Sequence, residues 1–272
     1  MLTTVPVSVI IPCYRCSETI SRALRSVYLQ TYRPFEVILV DDCSGDGTLD
    51  ELLSLQDRYG HDWVRVVNLQ INSGAASARN AGWGCARGQY IAFLDSDDAW
   101  HPKKVEIQYN LMNRDYSVDL IGHDRIRIAE VPEQESGGLV GSVDGAVSQV
   151  SALRLRFSNC FPTSSVMIRK NSDFRFAEGK RFSEDYDLWL RLAHSGYLCW
   201  YISLPLAYCF KHQYGAGGLS SEHANMIKGE LENYLDLYRA NQIGGFGLFC
   251  VLAYALLKFP RRLVVSFCSR GR

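Results

Sequence analysis

The N-terminal part of the chain alternates short apolar runs with segments in which apolar residues recur at helical spacing. The apolar runs are rich in β-branched residues and predict buried strands at residues 7–11, 35–40, 63–69 and 90–94. The helical patterns between them include an Ala-rich segment at about residues 75–86. Strands and helices in this order predict an α/β fold with a mostly parallel, twisted sheet flanked by helices.

Local signals predict where the helices begin. Ser17 is a suitable N-cap for the first helix, and Thr48 and Glu51 have the spacing of a capping box. Pro102 suits the first turn of the helix after the fourth strand. Gly, Ser and acidic residues at 130–150 predict a loop or hairpin.

We therefore expect one domain at residues 1–210, with halves at 1–129 and 130–210, and a helical extension at 211–272.

Three carboxylates, Asp95, Asp97 and Asp98, follow the fourth predicted strand within four residues. Carboxylates this close together at a strand end repel one another unless a cation lies among them. Mg²⁺ and similar ions are often held by one or two carboxylates together with the phosphate oxygens of a substrate. The pattern indicates either a metal–diphosphate site or an acidic, solvated turn.

Two further groups of acidic residues lie at the ends of other predicted elements, one at the end of a strand and one at the start of a helix. Asp41 and Asp42 end the second predicted strand, and parallel sheets bind ligands at the carboxyl ends of their strands. Both strand-end groups are therefore expected along one edge. Glu184, Asp185 and Asp187 open a predicted helix, where carboxylates complement the helix dipole. Alternatively, one of them faces the cleft as a general base.

Composition excludes some classes of function. The 272-residue chain has no net charge, which gives nucleic-acid binding no support. The number of cysteines, nine, is odd, and residues 1–6 do not show the charged segment followed by an apolar segment that is typical of a secretory leader. Both observations favour a reduced, cytoplasmic setting. Cys13 and Cys16 have the spacing of a redox or zinc pair, but no second Cys/His pair at ligand spacing accompanies them.

Five motifs occur in order and cover most of residues 5–200. They are VSVIIPCY at 7–14, VDDCSGDGT at 40–48, N-x-G-x(4)-R-N-x-G at 72–82, FLDSDD at 93–98 and ED-x-DLW at 184–189. As a set they resemble glycosyltransferase family 2. This resemblance implies an inverting transferase with the GT-A-type nucleotide-diphospho-sugar fold.

The resemblance also implies roles for individual residues on the donor side. Pro12 and Tyr14 would flank the nucleobase of a nucleotide diphosphate sugar, and Asp42 would accept a hydrogen bond from the base. Arg79 and Asn80 would help to hold the nucleotide or its diphosphate.

The remaining roles concern the reaction itself. Asp95 would lie near the ribose and sugar, while Asp97, or alternatively Asp98, would ligate the Mn²⁺ or Mg²⁺ that bridges the diphosphate. Asp185 would be the general base that deprotonates the acceptor hydroxyl, with Glu184 in support. The metal would neutralise the leaving group, and one base without an enzyme nucleophile implies inversion by single displacement.

Two positions depart from the family pattern. Cys43 stands where Gly is commonest, and Arg15 stands where Asn often follows the Tyr. We expect Cys43 to affect the conformation of its turn, because Gly readily takes positive φ. The Gln-x-x-Arg-Trp motif of processive synthases is absent, as are multiple membrane spans, which predicts addition of a single sugar.

The C-terminal region concerns the acceptor. Residues 211–221 resemble a segment of bacterial family members that build O-antigen, capsule or exopolysaccharide units on a lipid-diphosphate carrier. His212 would contact a diphosphate or the metal, or is simply structural. Residues 243–257 are apolar, shorter than the ~20 residues that span a bilayer, and are followed by basic residues. They predict either a core helix or a segment lying on an anionic membrane surface.

The sequence thus predicts a transferase that adds one sugar from a nucleotide diphosphate donor, expected to be UDP-linked. The acceptor would be a saccharide on an undecaprenyl-diphosphate-type lipid at the cytoplasmic face of the inner membrane. A non-catalytic nucleotide- or sugar-binding protein is the alternative, although Asp42, Asp97 and Asp185 are all intact. A sugar nucleotidyltransferase would open on a Gly-rich basic phosphate loop, which residues 12–15 lack.

Overall fold

The computed structural model describes residues 3–115, 117–129, 143, 145–171, 173–210 and 223–270, with backbone alone at residues 223 and 258–270. Within these residues one sheet is formed by β1 (Thr3–Cys13), β2 (Tyr32–Asp41), β3 (Val64–Asn68), β4 (Tyr90–Phe93), β5 (Ala99–Trp100), β6 (Val118–Arg127), β7 (Val147–Val150), β8 (Met167–Arg169) and β9 (Leu198–Cys209). The helices are α1 (Ile20–Tyr28), α2 (Thr48–Tyr59), α3 (Gly74–Cys85), α4 (Lys104–Arg114), α5 (Ala152–Phe157), α6 (Glu184–His194), α7 (His223–Arg239) and α8 (Gly245–Arg270), with a 3₁₀ turn at Thr163–Ser165.

The strand order is β3-β2-β1-β4-β8-β6-β9-β5, and β7 also pairs with β9. The four strands predicted in the first half are all parallel, and the α/β fold class is confirmed. In the second half β8 is antiparallel to both β4 and β6, so the sheet is mixed there. Strands of two and three residues, such as β5 and β8, are too short to carry a periodic signal in the sequence.

Both faces of β1 are buried. Val9 and Ile11 face an apolar cluster that includes Leu24 of α1. Ile10 faces the opposite cluster, which includes Trp83 of α3. Burial on both faces explains why this strand is a continuous apolar run rather than an alternating one.

Helix α3 packs tightly against the sheet at Gly82. A Cβ atom at this position would lie 2.6 Å from Cγ2 of Ile10 and 3.1 Å from Cγ2 of Val40. Gly84, in the same helix, is exposed and has open space around its Cα. Packing against the sheet therefore requires Gly at position 82, the last residue of the motif at residues 72–82.

Several predicted helix starts were wrong. Helix α1 begins at Ile20 with Thr19 at the N-cap, because the backbone N–H of Thr19 already donates to the Cys16 carbonyl in a preceding turn (3.0 Å). Ser17 is therefore not the cap. Helix α4 begins at Lys104, so Pro102 precedes the helix instead of lying in its first turn.

The capping box at the start of α2 is also absent. Thr48 Oγ1 accepts from the backbone N–H of Cys16 (3.0 Å), and Glu51 Oε1 accepts from the Ser21 hydroxyl (2.8 Å). Asp46 instead accepts from the Thr48 N–H (2.9 Å). Both residues of the predicted box thus bind the neighbouring α1 segment.

The C-terminal helices pack on the domain. Asn233 of α7 donates to the Ser183 carbonyl just before α6 (3.0 Å), and Val251 and Ala255 of α8 are buried. Another face of α8 exposes large apolar side chains: Phe246, Phe249, Leu256 and Leu257. Among the described residues, no helix has the length and apolar character needed to cross a membrane. Residues 130–142 and His212 lie outside the described residues.

We expect Gly82→Ala to lower the free energy of unfolding by ~1–3 kcal/mol, because the added methyl group forces α3 away from the sheet. Gly84→Ala is the matched control and should raise the free energy of unfolding by up to ~1 kcal/mol, because Ala is the better helix former. Urea unfolding followed by circular dichroism measures both changes. Equal effects of the two substitutions would contradict the close approach at Gly82.

Candidate active site

The carboxyl ends of the first parallel strands border a pocket of about 520 Å³. Predicted site residues from all five motifs line it: Pro12, Tyr14, Asp42, Arg79, Asp95, Asp97 and Glu184. The acidic groups after β2 and β4 therefore meet at one site. Asp98, Asp185 and Asn80 lie outside this lining.

Asp42 is held at the N-terminus of α3. Its Oδ1 accepts from the backbone N–H of Ser73 and its Oδ2 from that of Gly74, both at 2.8 Å. These donors stabilise the carboxylate and complete the start of the helix. Asp41 instead accepts a hydrogen bond from the Ser44 hydroxyl within its own turn.

The loops after β1 and β2 contain two residues with left-handed backbone. Arg15 has a φ of 48° and Cys43 a φ of 53°. These are the two positions that depart from the family pattern. The usual Asn and Gly at these positions suit this conformation better than Arg and Cys do.

The acidic turn after β4 is fixed by backbone hydrogen bonds. The N–H of Asp98 donates to the Asp95 carbonyl (3.0 Å), and Arg22 Nη2 donates to the Asp97 carbonyl (2.8 Å). Asp97 faces the pocket, whereas Asp98 is buried. Burial, together with the charges of Asp95 and Asp97, raises the pKa of Asp98 to about 7.

The donor atoms at this turn fit a divalent cation that a substrate helps to bind. Within the described residues, no three His, Cys, Asp or Glu side chains form a preformed metal-ligand set. Mg²⁺ usually needs only one or two carboxylates, because phosphate oxygens and water complete its shell. Burial is the main cause of the raised Asp98 pKa, and a cation beside Asp97 and Asp98 would offset the repulsion that adds to it.

Arg79 lies in the pocket but is already engaged. Nη1 donates to Glu184 Oε1 and Nη2 to Asp95 Oδ1, both at 2.9 Å. The adjacent Asn80 points away from the pocket. Its amide donates to the Phe176 carbonyl (2.9 Å) and accepts from the Phe176 N–H (3.1 Å). The structure therefore does not bring Asn80 to the predicted nucleotide site.

The start of α6 separates its three carboxylates. Glu184 is paired with Arg79, whereas Asp187 is paired with Lys180 (2.9 Å) and Arg191 (2.7 Å). Asp187 thus has a structural role. Asp185 has no ion pair within the described residues.

Asp185 is held by neutral donors. Its Oδ2 accepts from the Thr163 hydroxyl at 3.2 Å and from the Asn159 amide at 3.5 Å, and its Oδ1 accepts from the Tyr186 N–H at 2.6 Å. Burial raises the pKa of Asp185, although the nearby charge of Arg79 opposes the increase. A carboxylate with a raised pKa is a stronger base, which suits it to accept a proton.

Sequence reasoning missed several residues around the pocket. Asn72, Lys180 and Arg181 also line it. Lys180 pairs with Asp187 and Asp236, but Arg181 is exposed and forms no ion pair with the described part of the chain. The sequence signal for Lys180 and Arg181 is that they form a basic pair shortly before the Glu-Asp motif.

The parallel half-sheet, its acidic strand ends and the pocket between them define a GT-A-type glycosyltransferase architecture. Residues 8–171, more than half of the chain, match the family described as Glycosyl transferase family 2. The chain belongs to glycosyltransferase family 2.

Similar curated proteins come from several bacteria. The amylovoran biosynthesis glycosyltransferase AmsB of Erwinia amylovora is 31% identical over 208 residues, which cover 74% of this chain and 68% of the relative. The UDP-Glc:alpha-D-GlcNAc-diphosphoundecaprenol beta-1,3-glucosyltransferase WfaP of Escherichia coli is 32% identical over 203 residues, or 70% and 71% of the two chains. The putative teichuronic acid biosynthesis glycosyltransferase TuaG of Bacillus subtilis is 45% identical over 106 residues, which cover 39% of this chain and 41% of TuaG.

Solved structures share the fold. TarS 1–349 of S. aureus in complex with UDP-GlcNAc has a TM-score of 0.69 at 21% identity, covering 92% of this chain and 71% of TarS 1–349. The mannosyltransferase PcManGT of Pyrobaculum calidifontis, in complex with GDP-Man and Mn²⁺, has a TM-score of 0.67 at 18% identity, covering 97% and 73%. The expected GT-A-type fold is confirmed.

We expect Asp185→Asn to raise the free energy of unfolding at pH 8. The folded-state pKa of Asp185 lies above its unfolded value, so the ionised side chain opposes folding at high pH. The wild-type protein loses this disadvantage as the pH falls through the folded-state pKa, and the gain from Asn should shrink there. Thermal unfolding between pH 8 and pH 4 measures the difference.

Asp187→Asn is the matched contrast and should lower the free energy of unfolding by about 3 kcal/mol, because it breaks a buried ion pair. If both substitutions destabilised the protein equally at pH 8, the distinction between Asp185 and Asp187 would be wrong.

Proposed function

We propose that this protein is an inverting glycosyltransferase that adds a single sugar from a nucleotide diphosphate donor to a lipid-linked saccharide during bacterial surface-polysaccharide synthesis. The observation that carries the proposal is the pocket itself. It joins Asp42, the acidic turn after β4 and the start of α6 around one volume, with the predicted base Asp185 adjoining Glu184. Family membership supports the reaction class.

The donor binds with its base between Pro12 and Tyr14 and within reach of Asp42, and with its ribose and sugar near Asp95. Each of these residues lines the pocket. A UDP-linked donor is favoured by the name of WfaP and by the UDP-GlcNAc complex of TarS. The GDP-Man complex of PcManGT makes GDP the nucleotide to test against it.

A divalent cation, Mn²⁺ or Mg²⁺, would be held by Asp97, with Asp98 as the other candidate ligand. When bound, it neutralises charge on the leaving nucleoside diphosphate. Arg181 is well placed to add a second positive charge, because it lines the pocket without an ion pair to the described residues.

Asp185 removes the proton from the acceptor hydroxyl, which then attacks the anomeric carbon. A positioned general base contributes ~10²–10⁴-fold to such a step. Thr163 and Asn159 orient the carboxylate through hydrogen bonds to Oδ2. Because no enzyme nucleophile takes part, the anomeric configuration inverts.

A lipid-linked acceptor is supported by the name of WfaP, whose acceptor is a diphosphoundecaprenol-linked sugar. His212 remains a predicted contact of a diphosphate. We also propose that the protein acts at the cytoplasmic face of the membrane, with α8 lying on the surface. Phe246, Phe249 and Leu257 on α8 are 81%, 69% and 76% exposed, and basic residues follow them in the sequence.

Calorimetry with UDP, GDP and their sugar conjugates, each with and without Mn²⁺, tests the donor site. We expect one nucleotide to bind in a metal-dependent manner, and Asp97→Ala to weaken that binding at least ~10-fold. Asp57→Ala, which changes an exposed Asp of α2, is the control and should have no effect. Absence of binding by every nucleotide would rule out the donor site.

Transfer to a lipid-diphosphate-linked acceptor is the second arm of this experiment. Asp185→Asn should lower kcat by ~10²–10⁴-fold and leave donor affinity unchanged. NMR of the product reports the anomeric configuration. Metal-dependent donor binding without transfer to any acceptor would favour the alternative function, a nucleotide- or sugar-binding protein.

Flotation with vesicles tests the membrane contact. Wild-type protein should bind anionic phosphatidylglycerol vesicles better than neutral phosphatidylcholine vesicles. Exchange of both Phe246 and Phe249 for Ser should weaken binding at least ~10-fold, because burial of each Phe contributes ~1.5–3 kcal/mol. Leu153→Ser, which removes an exposed apolar side chain from α5, is the control. Equal binding by all three proteins would contradict the role of α8.

A further inference from the structure

One arginine connects the two sides of the pocket. Arg79 donates from Nη2 to Asp95, which follows β4, and from Nη1 to Glu184, the first residue of α6. Both N···O distances are 2.9 Å, and the Arg79 side chain is only 6% exposed. Asp95 belongs to the predicted donor side, whereas Glu184 adjoins the predicted base Asp185. The two carboxylates are thus held at a fixed separation.

The surroundings of Arg79 fix its orientation. Its guanidinium lies over the ring of Phe176, 5.3 Å from the centroid, and this ring is buried. Asn80 holds the Phe176 backbone through both groups of its amide. Successive residues of α3 therefore support one arrangement. The planar guanidinium fixes the directions of both hydrogen bonds, whereas the ammonium of a Lys is a point charge that sets no such directions.

The charge of Arg79 acts on Glu184, which it binds, and also on Asp185, which it does not bind. Burial raises the pKa of Glu184 and that of Asp185, and the Arg79 charge lowers both. Among the charged groups that act most strongly on the pKa of Asp185 are Arg79 from α3, which lowers it, and Asp95 from the turn after β4, which raises it; the adjacent Glu184 and Asp185 repel each other. Arg79 is the cation in this set.

We propose that Arg79 is a positioning residue for sugar transfer, which clamps donor-side Asp95 to acceptor-side Glu184, and that it is not a ligand of the donor diphosphate. This inference rests on the proposed function. Its physical basis is that each terminal nitrogen donates to a carboxylate in a nearly fully buried side chain, so that two carboxylates already balance the charge of Arg79 before any donor binds. The diphosphate charge is left to the metal and to Arg181.

The test compares Arg79→Lys and Arg79→Gln in steady-state transfer assays over a range of pH. Arg79→Lys keeps the positive charge but loses the planar guanidinium that donates to both Asp95 and Glu184. It should lower kcat about 100-fold by misplacing the clamped groups, with KM for the donor nearly unchanged and the acidic limb of the kcat profile in place.

Arg79→Gln also removes the charge. The protonated form of Asp185 is then favoured, its pKa rises, and the acidic limb should move to higher pH. A group that only supported the fold would not produce this difference between the two variants.

Arg87→Lys is the matched control. Arg87 pairs with the buried Glu36 through Nε (2.9 Å) at the opposite end of β4 from the pocket. Its exchange disturbs an arginine paired with a buried carboxylate away from the pocket, and it should leave kcat, KM and the pH profile unchanged.

Glu184→Gln keeps the inference testable if Arg79→Gln does not fold. It should lower kcat to a similar extent, and the double variant with Arg79→Lys should be no worse than either single variant, because both disrupt the same clamp. Additive losses would overturn the inference.

Ligand binding distinguishes the possible failures. One outcome would make Arg79 a diphosphate ligand and the inference wrong. In that outcome both Arg79 variants bind UDP at least ~10-fold more weakly, their affinity for uridine is unchanged, and the acidic limb of the kcat profile does not move. If the wild-type protein bound no nucleotide and transferred no sugar, the proposed function itself would fail.

Discussion

Repulsion between carboxylates along one edge of the sheet is the constraint to which the rest of the site responds. Each group has its own compensation. Asp42 accepts hydrogen bonds from the backbone N–H groups at the start of α3, and Asp95 and Glu184 both pair with Arg79. Asp185 accepts hydrogen bonds from a hydroxyl and from a backbone N–H. Asp98, buried among like charges, has a pKa raised to about 7. The proposed cation would supply positive charge at this last position.

The donor side could be predicted because its geometry follows from local patterns. Runs of β-branched residues mark the parallel strands, and the acidic residues mark where those strands end. Parallel strands present their carboxyl ends along one edge, so Asp42 and Asp95 were expected to meet, and they do line one pocket. The strands of the hydrophobic core could be predicted as well, because strands that are buried on both faces appear in the sequence as continuous apolar runs.

Interactions between distant segments could not be predicted in this way. Thr48 and Glu51 have the spacing of a capping box, yet both bind residues of the α1 segment. Arg79 resembles an ordinary phosphate-binding cation in the sequence, but one of its partners, Glu184, lies 105 residues away. A local pattern states which hydrogen bonds a side chain can form. It does not state which competing partner the fold brings closer, and polar side chains are the most affected because they accept several partners.

The loops after β1 and β2, on the donor side, each contain a residue with left-handed backbone, and hydrogen bonds between the loops hold this conformation. Left-handed backbone costs ~1–2 kcal/mol for a residue with a Cβ atom, and it persists only where neighbours determine the conformation. The N–H of Arg15 donates to the Ser44 hydroxyl (3.1 Å), which donates in turn to Asp41, so the loops after β1 and β2 are held together. Tyr14 and Asp42 lie on these two loops. The strain therefore accompanies a fixed separation between the groups proposed to receive the nucleobase, which reduces the ordering that donor binding would otherwise require.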